Sequence, residues 1–371
     1  MREFHKLEAG QIVLGEPLRW DVFDQHGNLL LRKGYLVSEA DQADALVERG
    51  MYVDALEYQA SQQGLVEPPY DPFHIIASVS ANLAFVLATP PRDGSLQSEI
   101  ETQAERVAWV AENSPDTALA AMQLAEQRNY PSSHGVYTAI MADMLAQRLG
   151  WDDDRRFSTL CAALTMNIGM QALQQKLFKQ REMLNPEQQK AVDEHPMAGA
   201  RLLIECGVND EEWLRAVLEH HERPDGCGYP RKVRELSEIG RLIHMCDCFT
   251  AMLSARLYRP RLTGNAAAKE VFTIFTEASG NPFGIHLART VGMFPPGTLV
   301  KLANGELGVV FQRGQNPRAP IVASLIDSKG LRCTRPLIRD STEGPYAIAA
   351  VIPQEKSMIA VPLEKLWQHK A

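Results

Sequence analysis

The 371-residue chain has no CxxC pair and no dense cysteine framework. Its six cysteines (Cys161, Cys206, Cys227, Cys246, Cys248, Cys333) are scattered. That excludes a disulfide-stapled scaffold and points to reduced thiols in a cytoplasmic protein. Positive charge is not in excess: 38 Lys and Arg stand against 46 Asp and Glu, a formal net charge of -8. A chain of that balance has no bulk basic face for nucleic acid, which leaves room only for a local basic pocket. No apolar run is long enough for a membrane span; the most apolar stretch, Ile75 to Thr89, is short and carries Ser and Asn. The first ten residues are polar and do not read as a signal peptide. Repeats and low-complexity tracts are missing too. What is present is ordinary for a globular protein, with 45% hydrophobic and 23% charged residues. The length suits two or three domains with a sizeable core.

The fold class expected is mainly α, a helical bundle with a small α+β unit before it and a small antiparallel β unit after it. Residues 1–58 form the first unit. Trp20–Phe23 and Leu29–Leu36 read as strands around the Gln25-His26-Gly27-Asn28 turn. Ser38-Glu39-Ala40-Asp41 resembles a capping box and Gly50 a helix stop, so Glu39–Arg49 should be helical. Met51-Tyr52-Val53 returns as a strand. Residues 59–72, rich in Gln, Gly and Pro, read as a linker. From 73 to 293 apolar residues recur at helical spacing, as in Ile75-Val79-Leu83-Val86 and Met141-Met144-Leu145-Leu149. Asn185-Pro186 opens one helix, and Ser237-Glu238 opens another expected to run through Tyr258. In 294–371, Leu299–Leu302 and Gly308–Phe311 flank Asn304-Gly305, a strong hairpin signal. Ile321–Ile326 and Ala347–Ile352 read as further strands.

The chemistry gathers around His220-His221-Glu222-Arg223-Pro224-Asp225-Gly226-Cys227-Gly228-Tyr229-Pro230. Adjacent histidines on a regular helix point about 100° apart. Both reach one metal only where the helix ends, and the Gly- and Pro-rich turn supplies that end. Three more ligand types lie far away in sequence: His134 at a helix start, His195 before Pro196, and Asp247 in a run of Cys, Met and Phe. Each has a plainer reading. His134 fits a helix cap, His195 a surface histidine, and the histidine pair a surface helix that stops at a loop. Asp247 resists one, because a buried carboxylate needs a partner or a metal. Imidazoles and a carboxylate from several helices make the kind of metal site that bundles hold in their core. Cys246 and Cys248 diverge on a helix, so they are a poor zinc pair.

In order and spacing, these marks resemble the HD-GYP domain, the family of bacterial cyclic di-GMP phosphodiesterases within the HD superfamily of metal-dependent phosphohydrolases. The resemblance covers residues from about 130 to 293. It rests on His134, His195-Pro196 with Gly199, His220-His221-Glu222, Asp225-Gly226 with Gly228-Tyr229-Pro230, Asp247, and Arg256 with Tyr258-Arg259-Pro260. It implies metal ligation by His134, His195, His220, His221 and Asp247. It also implies dinucleotide contacts by Tyr229, Arg256 and Arg259. Arginines pair with phosphate and stack on purines, and the two here are spaced i, i+3 on one predicted helix face. Arg231, Lys232 and Arg234 read more simply as a solvated rim.

The chain departs from the family where the His-Asp pair should stand. Met166 occupies the place of the ligand histidine, Asn167 that of the bridging aspartate, and Met170 that of the lysine. Tyr130 stands where trinuclear members carry an extra glutamate. An amide supplies no bridging charge, and a thioether is a soft ligand for hard metals. One half-site would keep only His134 and Asp247. The other would keep His195, His220 and His221; the first expectation is no cofactor, the alternative one divalent ion, zinc, manganese or iron, on these three histidines. The expectation is a degenerate HD-GYP protein in cyclic di-GMP signalling. It would act as a receptor, or as an adaptor that meets a diguanylate cyclase or another signalling protein through the Gly-Tyr-Pro loop. The alternative is an active phosphodiesterase on the His195/His220/His221 site.

Overall fold

In a computed structural model of the chain, the structure describes residues 4–7, 18, 20–26, 29–31, 35, 51–55, 71–125, 129–255, 261–354, 359 and 361–367. The expected helix Glu39–Arg49 and most of the expected linker lie outside these residues, as do Arg256 and Arg259. The chain divides into two compact units, residues 1–82 with Ala371 and residues 83–370. Each is described by itself; helix α1 (Pro72–Ala88) runs across the division.

In the first unit, β1 (Phe4–Lys6), β2 (Val22–Phe23), β3 (Leu29–Leu31) and β4 (Tyr52–Asp54) form an antiparallel sheet in the order β1-β4-β2-β3. His5 pairs with Val53, and Phe23 with both Tyr52 and Leu29. Leu7, Leu18, Trp20, Val22, Met51 and Val53 bury its small core.

The second unit is mainly helical, with a small antiparallel sheet at its end. Helices α2 (Leu96–Asn113), α3 (Pro115–Leu124), α4 (Tyr130–Leu149) and α5 (Asp153–Thr165) lead into a 3-10 turn at Ile168–Met170. Then follow α6 (Gln171–Phe178), α7 (Pro186–Glu205), α8 (Glu211–Glu219), α9 (Glu238–Leu253), α10 (Gly264–Ile274) and α11 (Gly284–Val291). Local sequence sets the boundaries. Asn185 and Gln188 close a capping box at the start of α7. The Asp210 side chain caps α8, and Ser237 Oγ accepts from the Gly240 N–H at the start of α9. Gly150 ends α4 in the left-handed conformation. The expected run to Tyr258 is shorter in fact: α9 stops at Leu253, where Ser254 turns extended.

α4 is buried along most of its length, so the other helices pack around it. Asp143 lies inside, and the Arg156 guanidinium donates to both its oxygens at 2.9 and 3.3 Å. Trp213 on α8 is 1% exposed and donates through its indole N–H to Thr165 Oγ1 at 2.7 Å, joining α8 to α5. The sheet comprises β5 (Leu299–Leu302), β6 (Leu307–Gln312), β7 (Ile321–Ile326), β8 (Arg332–Asp340) and β9 (Ile348–Val351), in the order β8-β7-β6-β5-β9. Arg313 ties it to the helices through Asp116 at 2.5 Å and the Thr290 carbonyl at 2.8 Å.

Candidate metal centre

The ligand-type side chains of the group come from the middle of α7 and from the end of α8. His195 lies in α7, immediately before Pro196. Proline has no N–H, so the carbonyl four residues back, Val192, loses its helical donor. His195 Nδ1 takes that place at 2.6 Å. α8 ends at Glu219 with His220 as its cap, leaving last-turn carbonyls free. His220 Nδ1 donates to one of them, Val217, at 2.6 Å. A carbonyl only accepts, so both Nδ1 atoms carry the hydrogen and both Nε2 atoms keep a lone pair for the site.

Those two Nε2 atoms stand 3.1 Å apart. His221 completes the group: among the described residues, His195, His220 and His221 are the set whose ligand atoms all lie within 4.8 Å of one another. Burial pushes the His195 pKa down to about 4. Burial first, and then the neighbouring His195, pushes His220 down to about 3. His221 is also held well below its ordinary value, by burial and then by His220. At neutral pH no proton separates the lone pairs, so the arrangement favours a cation. Two imidazoles on one zinc ion at about 2.0–2.1 Å in tetrahedral geometry stand roughly 3.3 Å apart, so these side chains fit the group. Nδ1–H bonds to backbone carbonyls are also how ligating histidines are commonly oriented.

Tyr229 stacks on His221 with ring centroids 4.7 Å apart and approaches His195 edge-on at 6.3 Å. Burial raises its phenol pKa, so it stays un-ionised. The turn that carries Tyr229 is pinned by two buried glutamates. Glu222 accepts from the N–H groups of Arg231 (2.6 Å) and Val233 (3.2 Å). Glu219 accepts from Ser237 N–H and from Arg215 Nε, each at 2.8 Å.

His134 and Asp247 meet at 2.6 Å between Nε2 and Oδ1. Burial would raise the Asp247 carboxyl, but the hydrogen bond and charge of His134, followed by the nearby His221 and His220, hold the group below the usual carboxylate range. His134 is therefore not a helix cap; it lies one turn inside α4. Tyr130 stacks on His134 at 5.2 Å and on Phe178 at 4.3 Å, with interplanar angles of 17° and 7°. Thr250 Oγ1 lies 3.4 Å from His134 Nδ1. The His134–Asp247 pair thus lies against an aromatic stack on one side and near His220 and His221.

Met166 is fully buried and Asn167 is 5% exposed. The turn after them presses on α7: a Cβ on Gly169 would stand 2.3 Å from the His195 carbonyl and 2.6 Å from the Gly199 nitrogen. Among the described residues, Asn167 Oδ1 is buried with no hydrogen-bond partner. An orphaned amide oxygen of this kind wants a water or an ion.

Two contributors escape the sequence reading. Phe178 closes the stack on Tyr130. His244 lies one turn before Asp247 on α9, where its Nδ1 donates to the His220 carbonyl at 2.8 Å. The i, i+3 spacing to Asp247 was the available signal for His244; nothing in the sequence marks Phe178.

Residues 107–272 match the family model described as HD domain. A Pseudomonas aeruginosa protein named cyclic di-GMP phosphodiesterase PA4108 is 28% identical over 211 residues, 56% of this chain and 51% of that protein. The Xanthomonas campestris cyclic di-GMP phosphodiesterase response regulator RpfG is 24% identical, over 52% of this chain and 57% of its own length. A Vibrio cholerae protein named 3'3'-cGAMP-specific phosphodiesterase 3 is 30% identical, but over 35% of this chain and 28% of its own length. The chain therefore spans less than two thirds of each of these relatives. Among solved structures, Bd1817, a HDG"Y"P protein from Bdellovibrio bacteriovorus, shares the fold. Its TM-score is 0.50 at 16% identity, covering 78% of this chain and 98% of that one. Among the described residues, no helix of this protein is long and apolar enough to cross a membrane.

The three imidazoles set a pH dependence for the metal-free protein. Each folded pKa lies below the ordinary 6.5, so the unfolded chain accepts protons that the folded chain resists. Their stability is fully present above about pH 6.5 and is lost as pH falls toward 4 and 3. At about 1.4 kcal/mol per pKa unit, the fall from 6.5 to about 4 makes His195 worth on the order of 3 kcal/mol. Thermal unfolding of the chelator-treated protein is expected at clearly lower temperature at pH 5 than at pH 7. Equal melting at the two pH values would show that the imidazoles are not buried and neutral.

Proposed function

We propose that this HD domain is a degenerate member of the HD-GYP kind. It holds one divalent ion, at His195, His220 and His221, and serves cyclic di-GMP signalling as a receptor or adaptor. The observation that carries this reading is the second half-site, where Met166 and Asn167 stand in place of the family's histidine and aspartate and the ligand-type groups left are His134 and Asp247, 2.6 Å apart. Two-metal hydrolysis needs both ions to stabilise the attacking and leaving oxygens. Here the second half-site offers one imidazole and one carboxylate, too few ligands to hold an ion tightly. Met166, fully buried, is a thioether at the position where the family has a ligand and would act as an apolar plug there.

Zinc, manganese or iron are the candidate ions; when bound, such an ion would polarise a phosphodiester oxygen or a water. The protein's own residues do the rest. The backbone carbonyls of Val192 and Val217 orient two of the imidazoles. Tyr229 packs against His221 and His195 and is proposed to contact the dinucleotide, a role proposed for Arg256 and Arg259 as well. Names of the relatives support cyclic di-GMP as the ligand.

Calorimetric titration with cyclic di-GMP tests this reading. Binding at micromolar or tighter Kd is expected, lost in Arg256→Ala and weakened at least tenfold in Tyr229→Ala. No binding heat would leave the Gly-Tyr-Pro loop as a protein-docking surface, for a diguanylate cyclase or a similar partner, and remove the receptor role. A second reading, a one-metal phosphodiesterase, is favoured by the convergence of three neutral imidazoles on one point.

A further inference from the structure

His220 and His221 are neighbours in sequence, yet both must face one point. On a continuing helix they would diverge by about 100°. They converge because α8 stops, and that stop has to be held in place. The hydrogen bonds that hold it can be followed along the backbone. The Val217 carbonyl accepts from His220 Nδ1 at 2.6 Å. The Glu219 carbonyl accepts from the Glu222 N–H at 2.7 Å. The His221 carbonyl accepts from the Tyr229 N–H at 3.2 Å. These three donors all belong to α8 or the turn that follows it. The His220 carbonyl is bonded differently, by His244 Nδ1 at 2.8 Å, from across the site on α9.

That carbonyl belongs to the peptide joining the two histidines, so fixing it fixes where both side chains start. The His244 ring is itself braced. Phe275 meets it edge-on at 5.4 Å and 70°, and His221 meets it edge-on at 6.2 Å and 82°. One helical turn further along α9 is Asp247, the partner of His134. α9 therefore supplies a carboxylate to one half-site and a backbone clamp to the other.

We propose that His244 is a positioning residue of the three-histidine centre, acting through its Nδ1–H bond to the His220 carbonyl. This rests on the reading that the centre takes a divalent ion. Groups that orient ligands from outside the metal's own shell typically change affinity 10- to 100-fold when removed.

The test compares two variants of the full chain. In His244→Asn, the side-chain amide nitrogen sits where Nδ1 sat and can donate the same bond. In His244→Leu, the volume is kept and the donor is lost. Affinity for zinc is measured by competition with a chromophoric chelator, and the metal-free proteins are melted in parallel. The Leu variant is expected to bind zinc 10- to 100-fold more weakly, the Asn variant within about threefold of wild type. Wild-type affinity in the Leu variant would overturn the proposal. Equal weakness in both variants would overturn the hydrogen-bond role and assign the effect to the rest of the imidazole. Should the Leu variant not fold, His244→Gln, whose amide sits one bond further out, replaces it. Wild-type protein that takes up no zinc removes the metal reading itself, and this proposal with it; binding by wild type and variants alike defeats only the role of His244.

Discussion

Equilibrated with zinc or manganese and then desalted, the protein is expected to retain one equivalent of metal, and none once His220 and His221 are both replaced by alanine. Three imidazole ligands with an open fourth position suffice for a bound zinc ion. Structural zinc sites with four ligands are worth about 10–16 kcal/mol, roughly 3 kcal/mol for each ligand. Removing two ligands should therefore weaken binding roughly ten-thousand-fold, beyond retention at micromolar metal. Metal analysis by atomic emission reads the stoichiometry directly. Two retained equivalents in the wild type would mean that the His134–Asp247 pair opens to take an ion, and the degenerate reading would fail.

The second large effect is on stability. His134→Ala leaves the Asp247 carboxylate without its partner, with 13% of that side chain exposed. Breaking a buried pair on one side typically costs about 3–5 kcal/mol, because the remaining charge is uncompensated. Denaturant unfolding at pH 7 is expected to show a loss of that size. The pH dependence has a definite sign. The partnered Asp247 carboxyl titrates below the ordinary range, so the pair's contribution is present above an unfolded carboxylate pKa near 4 and is lost below it. The gap between wild type and His134→Ala should therefore narrow in acid. Adding Asp247→Asn to His134→Ala should recover part of the loss, since a neutral amide is less costly to bury. A loss below about 1 kcal/mol for His134→Ala would show that Asp247 is adequately solvated, and that the pair is no structural lock.

Much of the fold can be read from the chain, because its signals are local. Asn185-Pro186 and Ser237 cap helices where expected, and Asn304-Gly305 joins β5 to β6. The length of α9 was not legible. Ser254-Ala255 carries no strong breaker, so nothing in the sequence stops the helix at Leu253. β8 also gave no signal. Most of Arg332–Asp340 is exposed, so no alternation of apolar and polar residues marks it as a strand.

The candidate site divides in the same way. His195, His220 and His221 were legible as ligand types, and the reason for Pro196 becomes visible with the freed Val192 carbonyl. Tyr130 could be read only as a missing ligand. That it becomes the middle of a stack with His134 and Phe178 depends on how α6 folds back on α4. Contacts between residues 130 and 178 are a property of packing, which no local spacing encodes.

The most direct measurement is turnover of cyclic di-GMP by the purified full chain with manganese or iron supplied, the linear and mononucleotide products being followed by chromatography. A site with one ion, and with only His134 and Asp247 in its second half, is expected to leave the nucleotide intact. Product that scales with protein, and disappears when His220 and His221 are replaced, would contradict this and show that three histidines suffice for hydrolysis.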